Sequence, residues 1–256
     1  TEKSYMQNIK KSNAFVVNFE DLGPGRKYAD LVFNPIFNSK SFSKNEFFGY
    51  NYACVRDEFR IWKRAEIRKN AKNVFISFGG TDPENLTFRT MEIINKLNLT
   101  HLNFFIILGF GYSKKQYLEK LIANMKKNGF RIKTIEKSDF IAKYAIDADF
   151  AITSNGRTVF ELAALNIPLI SISVNSREEQ HTFVKSTHTG YYLNSNQINE
   201  TQISSAIQKM LNFQNRTRIT EKLQKIDLLS GTHRVIEIIF DEYEKFNKSR
   251  REKILS

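Results

Sequence analysis

Two strings in this chain carry the residue types that grip anions. Ser77-Phe78-Gly79-Gly80-Thr81-Asp82-Pro83 follows an apolar, β-rich run at 74–78, and Thr153-Ser154-Asn155-Gly156-Arg157-Thr158 follows another at 148–153. A glycine turn between a strand and a helix start aims unpaired N–H groups and a helix dipole at one point, a geometry suited to phosphate. In the first string Gly79 and Gly80 make the turn, Thr81 or Asp82 can cap the helix, and Pro83 suits its first turn. In the second, Ser154, Asn155 and Gly156 make the turn and Thr158 can cap, with Glu161 at the capping-box spacing. Each string also has a plainer account: an ordinary βα turn at 79–82, and a Thr158–Glu161 pair that satisfies only itself. On the chemical account both turns cradle phosphate, and Glu161 accepts from a ribose diol, because a carboxylate takes two hydroxyls at once.

The elements that must position these turns alternate. Strands are expected at 74–78, 102–108, 130–135, 148–153, 168–174 and 191–193, and helices at about 84–97, 114–128, 138–146, 158–165, 178–188, 199–212 and 216–225. Such alternation predicts an α/β fold with a doubly wound, open parallel sheet, Rossmann-like, whose ligands lie beyond the carboxyl ends of the strands. The turns at 79–82, 109–112 and 154–158 stand at three such ends and are expected to line one crevice.

The start of the chain reads differently. Runs at 14–19 and 28–34 are expected as short strands, the last of a sheet whose earlier strands lie upstream. Residues 38–51 read as an aperiodic loop and 61–70 as a basic helical stretch; Arg56, Arg60, Lys63, Arg64 and Arg68, on or near it, read as a solvated face, with anion contact the alternative. The expected division is 1–60, the end of an N-terminal α/β domain plus linker, and 61–256, a C-terminal Rossmann-like domain with a closing helix at 233–247.

Among 256 residues, 41% hydrophobic content with 22 Phe supports a globular core and excludes a disordered chain. No apolar run approaches the ~20 residues of a membrane helix, so no membrane insertion is expected. The single cysteine, Cys54, and the absence of an apolar signal core at the start fit the cytoplasm. A net charge of +12, from 39 Lys and Arg against 27 Asp and Glu, suggests an anionic partner. No nucleic-acid module accompanies it, so a phosphorylated small molecule is expected rather than nucleic acid.

Taken together, several strings resemble the PseG/SpsG-like family of UDP-sugar hydrolases of the pseudaminic-acid and spore-coat polysaccharide pathways, and its GT-B-type C-terminal nucleotide-binding half. They are the segment 49–59 (Gly-Tyr-Asn-Tyr-Ala-Cys-Val-Arg-Asp-Glu-Phe), the extended Gly79-Gly80-Thr81-Asp82-Pro83-Glu84-Asn85-Leu86-Thr87, Ala148-Asp149-Phe150, the 154–161 turn, Glu179-Gln180-His181 and Gly190. The resemblance runs from about residue 15 to the closing helix. It implies UDP or a UDP-sugar as ligand and no metal or other cofactor. Gly79, Gly80 and Thr81 with Ser154, Asn155 and Gly156 would hold the diphosphate, Glu161 the ribose, the loop after Ile135 the base, and Gln180 the sugar or diphosphate. An Asn commonly flanks that Gln in the family, whereas Glu179 and His181 stand here.

The resemblance also implies that a Gly-rich loop and a His, the general base, come from an N-terminal domain preceding Thr1 in the same polypeptide. No equivalent motif is present in this chain. A base must reach the attacking water. Of the four histidines, His181 is the candidate for a substrate role, and His101 and His233 read as surface or packing residues. Asp82 and Asp139 are further possible acids, which helix capping explains equally well. A glycosyltransferase with another acceptor, or a non-catalytic nucleotide-sugar-binding module, are the alternatives.

Overall fold

The computed structural model describes residues 1–38, 43–62, 64, 66–136, 138, 140–194 and 199–255. They form two compact units, Thr1–Val55 with Asp227–Ser256, and Arg56–Ile226. The division therefore falls between Val55 and Arg56 rather than near residue 60, and the closing helix belongs to the first unit rather than the second.

The second unit is a six-stranded, all-parallel sheet. Its elements in chain order are β4 (Asn73–Ser77), α2 (Leu86–Lys96), β5 (Asn103–Leu108), α3 (Lys115–Lys127), β6 (Arg131–Glu136), α4 (Ala142–Ala145), β7 (Phe150–Ser154), α5 (Thr158–Ala164), β8 (Leu169–Ser173), α6 (Ser176–Glu179), α7 (Phe183–Thr187), β9 (Gly190–Asn194), α8 (Glu200–Leu211) and α9 (Phe213–Leu223). The strand order β6-β5-β4-β7-β8-β9 reverses direction between β4 and β7, which is the Rossmann order and places the switch point there. Val74, Phe75 and Ile76 of β4, Phe150, Ala151 and Ile152 of β7, and Leu169, Ile170 and Ile172 of β8 are all buried. That is why these strands read as continuous apolar runs: both faces of a parallel sheet are covered. The edge strand β6 instead buries only Ile132 and Ile135.

The expected helix at 178–188 is two short helices, α6 and α7, broken at Gln180–Thr182. The basic stretch 61–70 is not helical in its described residues. Its arginines are not a solvated face either. Arg64 donates to the carbonyls of Ala148 (3.0 Å) and Asn166, and Arg68 to the carbonyl of Asp147 (2.7 Å) and the carboxylate of Asp149 (3.2 Å). Burial pulls the Arg64 pKa down to about 10, against the favourable charge of Asp149. Lys63 lies outside the described residues.

The first unit contains α1 (Lys3–Lys10), a parallel sheet β1-β2-β3 (Val17–Phe19, Leu31–Asn34, Glu46–Phe48) and α10 (Gly231–Leu255). The third strand falls inside the segment expected as loop. Polar neighbours hide it, and its inward Glu46 is matched by Arg26 at 3.2 Å. Leu31, Phe33 and Val235 form a core with Phe15, Val17, Phe47, Ile238 and Ile239 packed around it, which seats α10 on β1 and β2. No helix among the described residues is long and apolar enough to cross a membrane.

Arg216 of α9 is fully buried, and its guanidinium donates to four carbonyls, those of Met210 (2.6 Å), Leu211 (2.8 Å), Arg68 (2.8 Å) and Lys69 (3.1 Å). It satisfies the end of α8 and fixes the segment leading into β4. Arg216→Ala is expected to lower the unfolding free energy of the chain by about 2–4 kcal/mol in urea denaturation. A loss below about 0.5 kcal/mol, the range of ordinary surface changes, would show that these bonds do not matter to stability.

Candidate functional site

The switch point between β4 and β7 opens a crevice beyond the carboxyl ends of the strands. Paired register brings the two turns side by side, with Ser77 opposite Thr153. The first turn, Gly79-Gly80-Thr81, is exposed, and its N–H groups make no hydrogen bond to the described residues. Gly79 sits at φ +76°, a left-handed conformation that glycine adopts freely. A Cβ on Gly79 would lie 3.9 Å from Ser154 Oγ, and one on Gly156 3.7 Å from the same atom. Ser154 therefore stands between the two glycine turns.

The first turn is held from behind by the loop after β5. Gly111 donates its N–H to Gly80 O at 2.9 Å, and a Cβ on Gly109 would collide with the Gly79 and Gly80 carbonyls. Phe110 between these glycines is 86% exposed, on the rim of a 280 Å³ cavity lined also by Leu108, Tyr112, Lys115 and Glu136. Tyr112 donates its hydroxyl to Asn85 Oδ1 at 2.6 Å, and burial, with the Asp82 charge, pushes its pKa up to about 12.

Asp82 is the helix cap, not an open acid. Its buried carboxylate accepts the N–H groups of Leu86 and Thr87, each at 2.8 Å. The helix accordingly starts after Asn85, two residues later than the sequence suggests, and Pro83 precedes it. Thr81 makes no such cap. Asp139 lies outside the described residues.

The second turn is braced more heavily. Asn155 is fully buried, and its side-chain amide donates to the carbonyls of Glu178 (2.7 Å) and His181 (2.8 Å). His181 is 1% exposed, its ring packed on Phe160 at 4.7 Å and its Nδ1 2.8 Å from Asn155 O. The structure thus places His181 beneath the turn, where it positions Asn155, rather than open to the crevice. Gln180 is exposed at the end of α6, its amide 3.3 Å from Ser176 O. Ile135 is buried in β6, and the loop beyond it is only partly described.

The expected Thr158–Glu161 capping box does not form: Arg157 is the N-cap residue of α5 and no side chain caps there. Glu161 instead takes a fork from Arg56, Nε to Oε1 at 2.6 Å and Nη2 to Oε2 at 3.2 Å. Arg56 also pairs with Glu58 at 2.9 Å and lies 5.1 Å from the Phe59 ring centre. Burial works against the Arg56 charge, but the Glu161 hydrogen bond and the charges of Glu161 and Glu58 outweigh it and hold its pKa above the ordinary value. Glu58 passes the brace on by accepting the Ala142 N–H at the start of α4 at 2.8 Å. The string Arg56-Asp57-Glu58-Phe59 is visible in the sequence, but the pairing of Arg56 with Glu161 is not, because 105 residues separate them. Among the described residues, no three His, Cys, Asp or Glu side chains gather as a metal site.

This architecture is a GT-B-like, Rossmann-type fold. MurG of Acinetobacter baumannii matches it with a TM-score of 0.64 at 16% identity, over 93% of this chain and 76% of that one. Residues 73–232 match the glycosyltransferase family 28 C-terminal domain, and the chain belongs to that family. It is 30% identical over 194 residues to an uncharacterized protein of Methanocaldococcus jannaschii, covering 70% of this chain and 40% of that protein. To the spore coat polysaccharide biosynthesis protein SpsG of Bacillus subtilis it is 23% identical over 178 residues, covering 66% and 51%. The chain thus spans about half or less of the curated relatives it matches.

The contact between Gly109 and the first turn gives a direct test of how the crevice is built. Gly109→Ala must push the Gly79–Gly80 backbone away, at a cost of about 1–3 kcal/mol. The expected result is a lowered melting temperature with altered amide NMR shifts at residues 79–81. Unchanged shifts there would show that the loop does not set the turn.

Proposed function

We propose that residues 73–232 bind a nucleotide sugar with uridine as its base, and that the longer protein releases UDP from a UDP-activated amino sugar in surface-polysaccharide or nonulosonic-acid synthesis. The observation that carries this is the exposed Gly79-Gly80-Thr81 turn, whose N–H groups make no hydrogen bond to the described residues, facing Ser154 across the switch point. Backbone N–H groups there, with the hydroxyls of Thr81 and Ser154, suit a diphosphate. Glu161 takes the ribose: the Arg56 fork fixes its carboxylate in place, and each oxygen retains a further lone pair for a hydroxyl. The loop after Ile135 meets the base, and Gln180 reaches the sugar or the diphosphate.

In the reaction, the oxygen of water bonds to the anomeric carbon while the bond from that carbon to the diphosphate oxygen breaks. UDP leaves with the electron pair, and a base takes the proton of the water. The turns stabilise the charge gathering on the leaving diphosphate without a metal. We place the base in an N-terminal domain of the same polypeptide, as the family resemblance implies, and the whole protein in the cytoplasm. Family membership favours a second reading, transfer of the sugar to an acceptor other than water.

Calorimetric titration with UDP, CDP and GDP tests the binding reading. UDP is expected to bind at least about tenfold more tightly, or about 1.4 kcal/mol, than the other two. If no nucleoside diphosphate binds, the proposal falls. Glu161→Ala is expected to weaken UDP about tenfold or more, and an unchanged affinity would remove the ribose assignment. Turnover of a UDP-sugar by this chain alone would contradict an upstream base.

A further inference from the structure

The second turn already holds an anion of its own. Glu178, on the four-residue α6, is half-buried, and its Oε2 accepts the N–H of Asn155 at 3.1 Å and of Val174 at 3.0 Å. Its Oε1 lies 3.1 Å from the place a Cβ on Gly156 would take. Asn155 returns the bond through its side-chain amide, 2.7 Å from Glu178 O. A carboxylate from the β8 side therefore clasps the β7–α5 turn. From Gly156 the path to the first glycine turn runs through a single atom, Ser154 Oγ, at 3.7 Å and 3.9 Å from the two glycine Cβ positions.

A diphosphate lying across these turns would meet a like charge in a partly dry crevice, where such repulsion is poorly screened. The charged and titratable groups on the surrounding elements are Arg177 and Glu179 on α6, Arg157 and the Arg56–Glu161 pair at α5, and His181 below Asn155. Burial raises the Glu178 pKa above the ordinary carboxylate value, and the Val174 and Asn155 N–H bonds with the Arg177 charge only partly offset it.

We propose that Glu178 is a positioning residue that clasps the second turn while the crevice is empty and accepts one proton from solvent when a diphosphate enters. Oε2 goes on accepting from Asn155 and Val174, and the proton rides on Oε1, on the Gly156 side, where it can donate to a phosphate oxygen. This inference rests on the nucleotide-sugar reading above. Its sign is fixed: the ligand raises the Glu178 pKa further, so affinity falls as pH rises between the free and bound values.

UDP-N-acetylglucosamine is the probe, because its diphosphate is esterified at both ends and lacks the terminal phosphate ionisation near about pH 6. Titrated calorimetrically in buffers of different ionisation enthalpy, the unaltered chain is expected to take up protons on binding, and its affinity to fall about tenfold from about pH 5 to about pH 8. Glu178→Gln keeps an oxygen for Asn155 and Val174. It is expected to bind about tenfold more tightly at the upper pH and to lose the proton uptake. Binding without proton uptake in the unaltered chain, or uptake that persists in Glu178→Gln, overturns the role of Glu178 and leaves the nucleotide-sugar reading standing. Absence of binding by the unaltered chain overturns that reading and this inference with it.

Discussion

The pairing of β4 with β7 is the constraint on which the rest of the second unit depends. Val74 faces Phe150 and Ser77 faces Thr153 in one unbroken parallel register, and both strands are buried on both sides. A slip of one residue would turn every side chain to the opposite face and separate the turns that follow the strands. Because β5 and β6 extend the sheet one way and β8 and β9 the other, no helix crosses directly between β4 and β7. The gap left there is the crevice. Its position follows from topology, and its chemistry from which residues terminate the two strands.

Much of that topology is legible in the sequence, for a physical reason. Strands buried on both faces must be continuous apolar runs, and the runs at 74–78, 148–153 and 168–174 declare themselves. The first glycine turn is equally plain, since Gly79 needs its positive φ. What the sequence conceals is pairing across long separations. The segment 61–70 has the composition of a solvated helix, yet Arg64 and Arg68 donate to carbonyls at residues 147–149 and 166. The capping-box spacing of Thr158 and Glu161 is a local signal overridden by Arg56. His181 looks like chemistry from its type alone, and only its burial beneath Asn155 shows it as a brace. The strand β3 is hidden for a related reason: its buried Glu46 reads as polar until Arg26 is found beside it.

The same arginines change what the charge surplus means. A formal charge of +12 invites a search for a large anionic surface. Arg64 and Arg216, however, are consumed inside the second unit as donors to backbone carbonyls, and Arg56 is matched by two carboxylates. The guanidinium is suited to this work because one planar group can satisfy several carbonyls and resists losing its charge. Some of the basic excess is therefore structural mortar, and the chain presents less positive surface than its sequence total implies.

Phe110 takes on a different meaning once its setting is considered. It stands almost wholly in solvent, but the loop that carries it is pinned by glycine-to-glycine contact to the very turn that faces the crevice. Its backbone cannot drift independently of Gly80. The ring can only swing about its own side-chain bonds, within a radius set by that anchor. The protein has thereby fixed where this aromatic side chain leaves the backbone, beside the first turn, while leaving the angle of its ring adjustable, as a hinge fixes a door to its frame. The cavity that Phe110 borders is therefore tied through its backbone to the same turn whose N–H groups stand open.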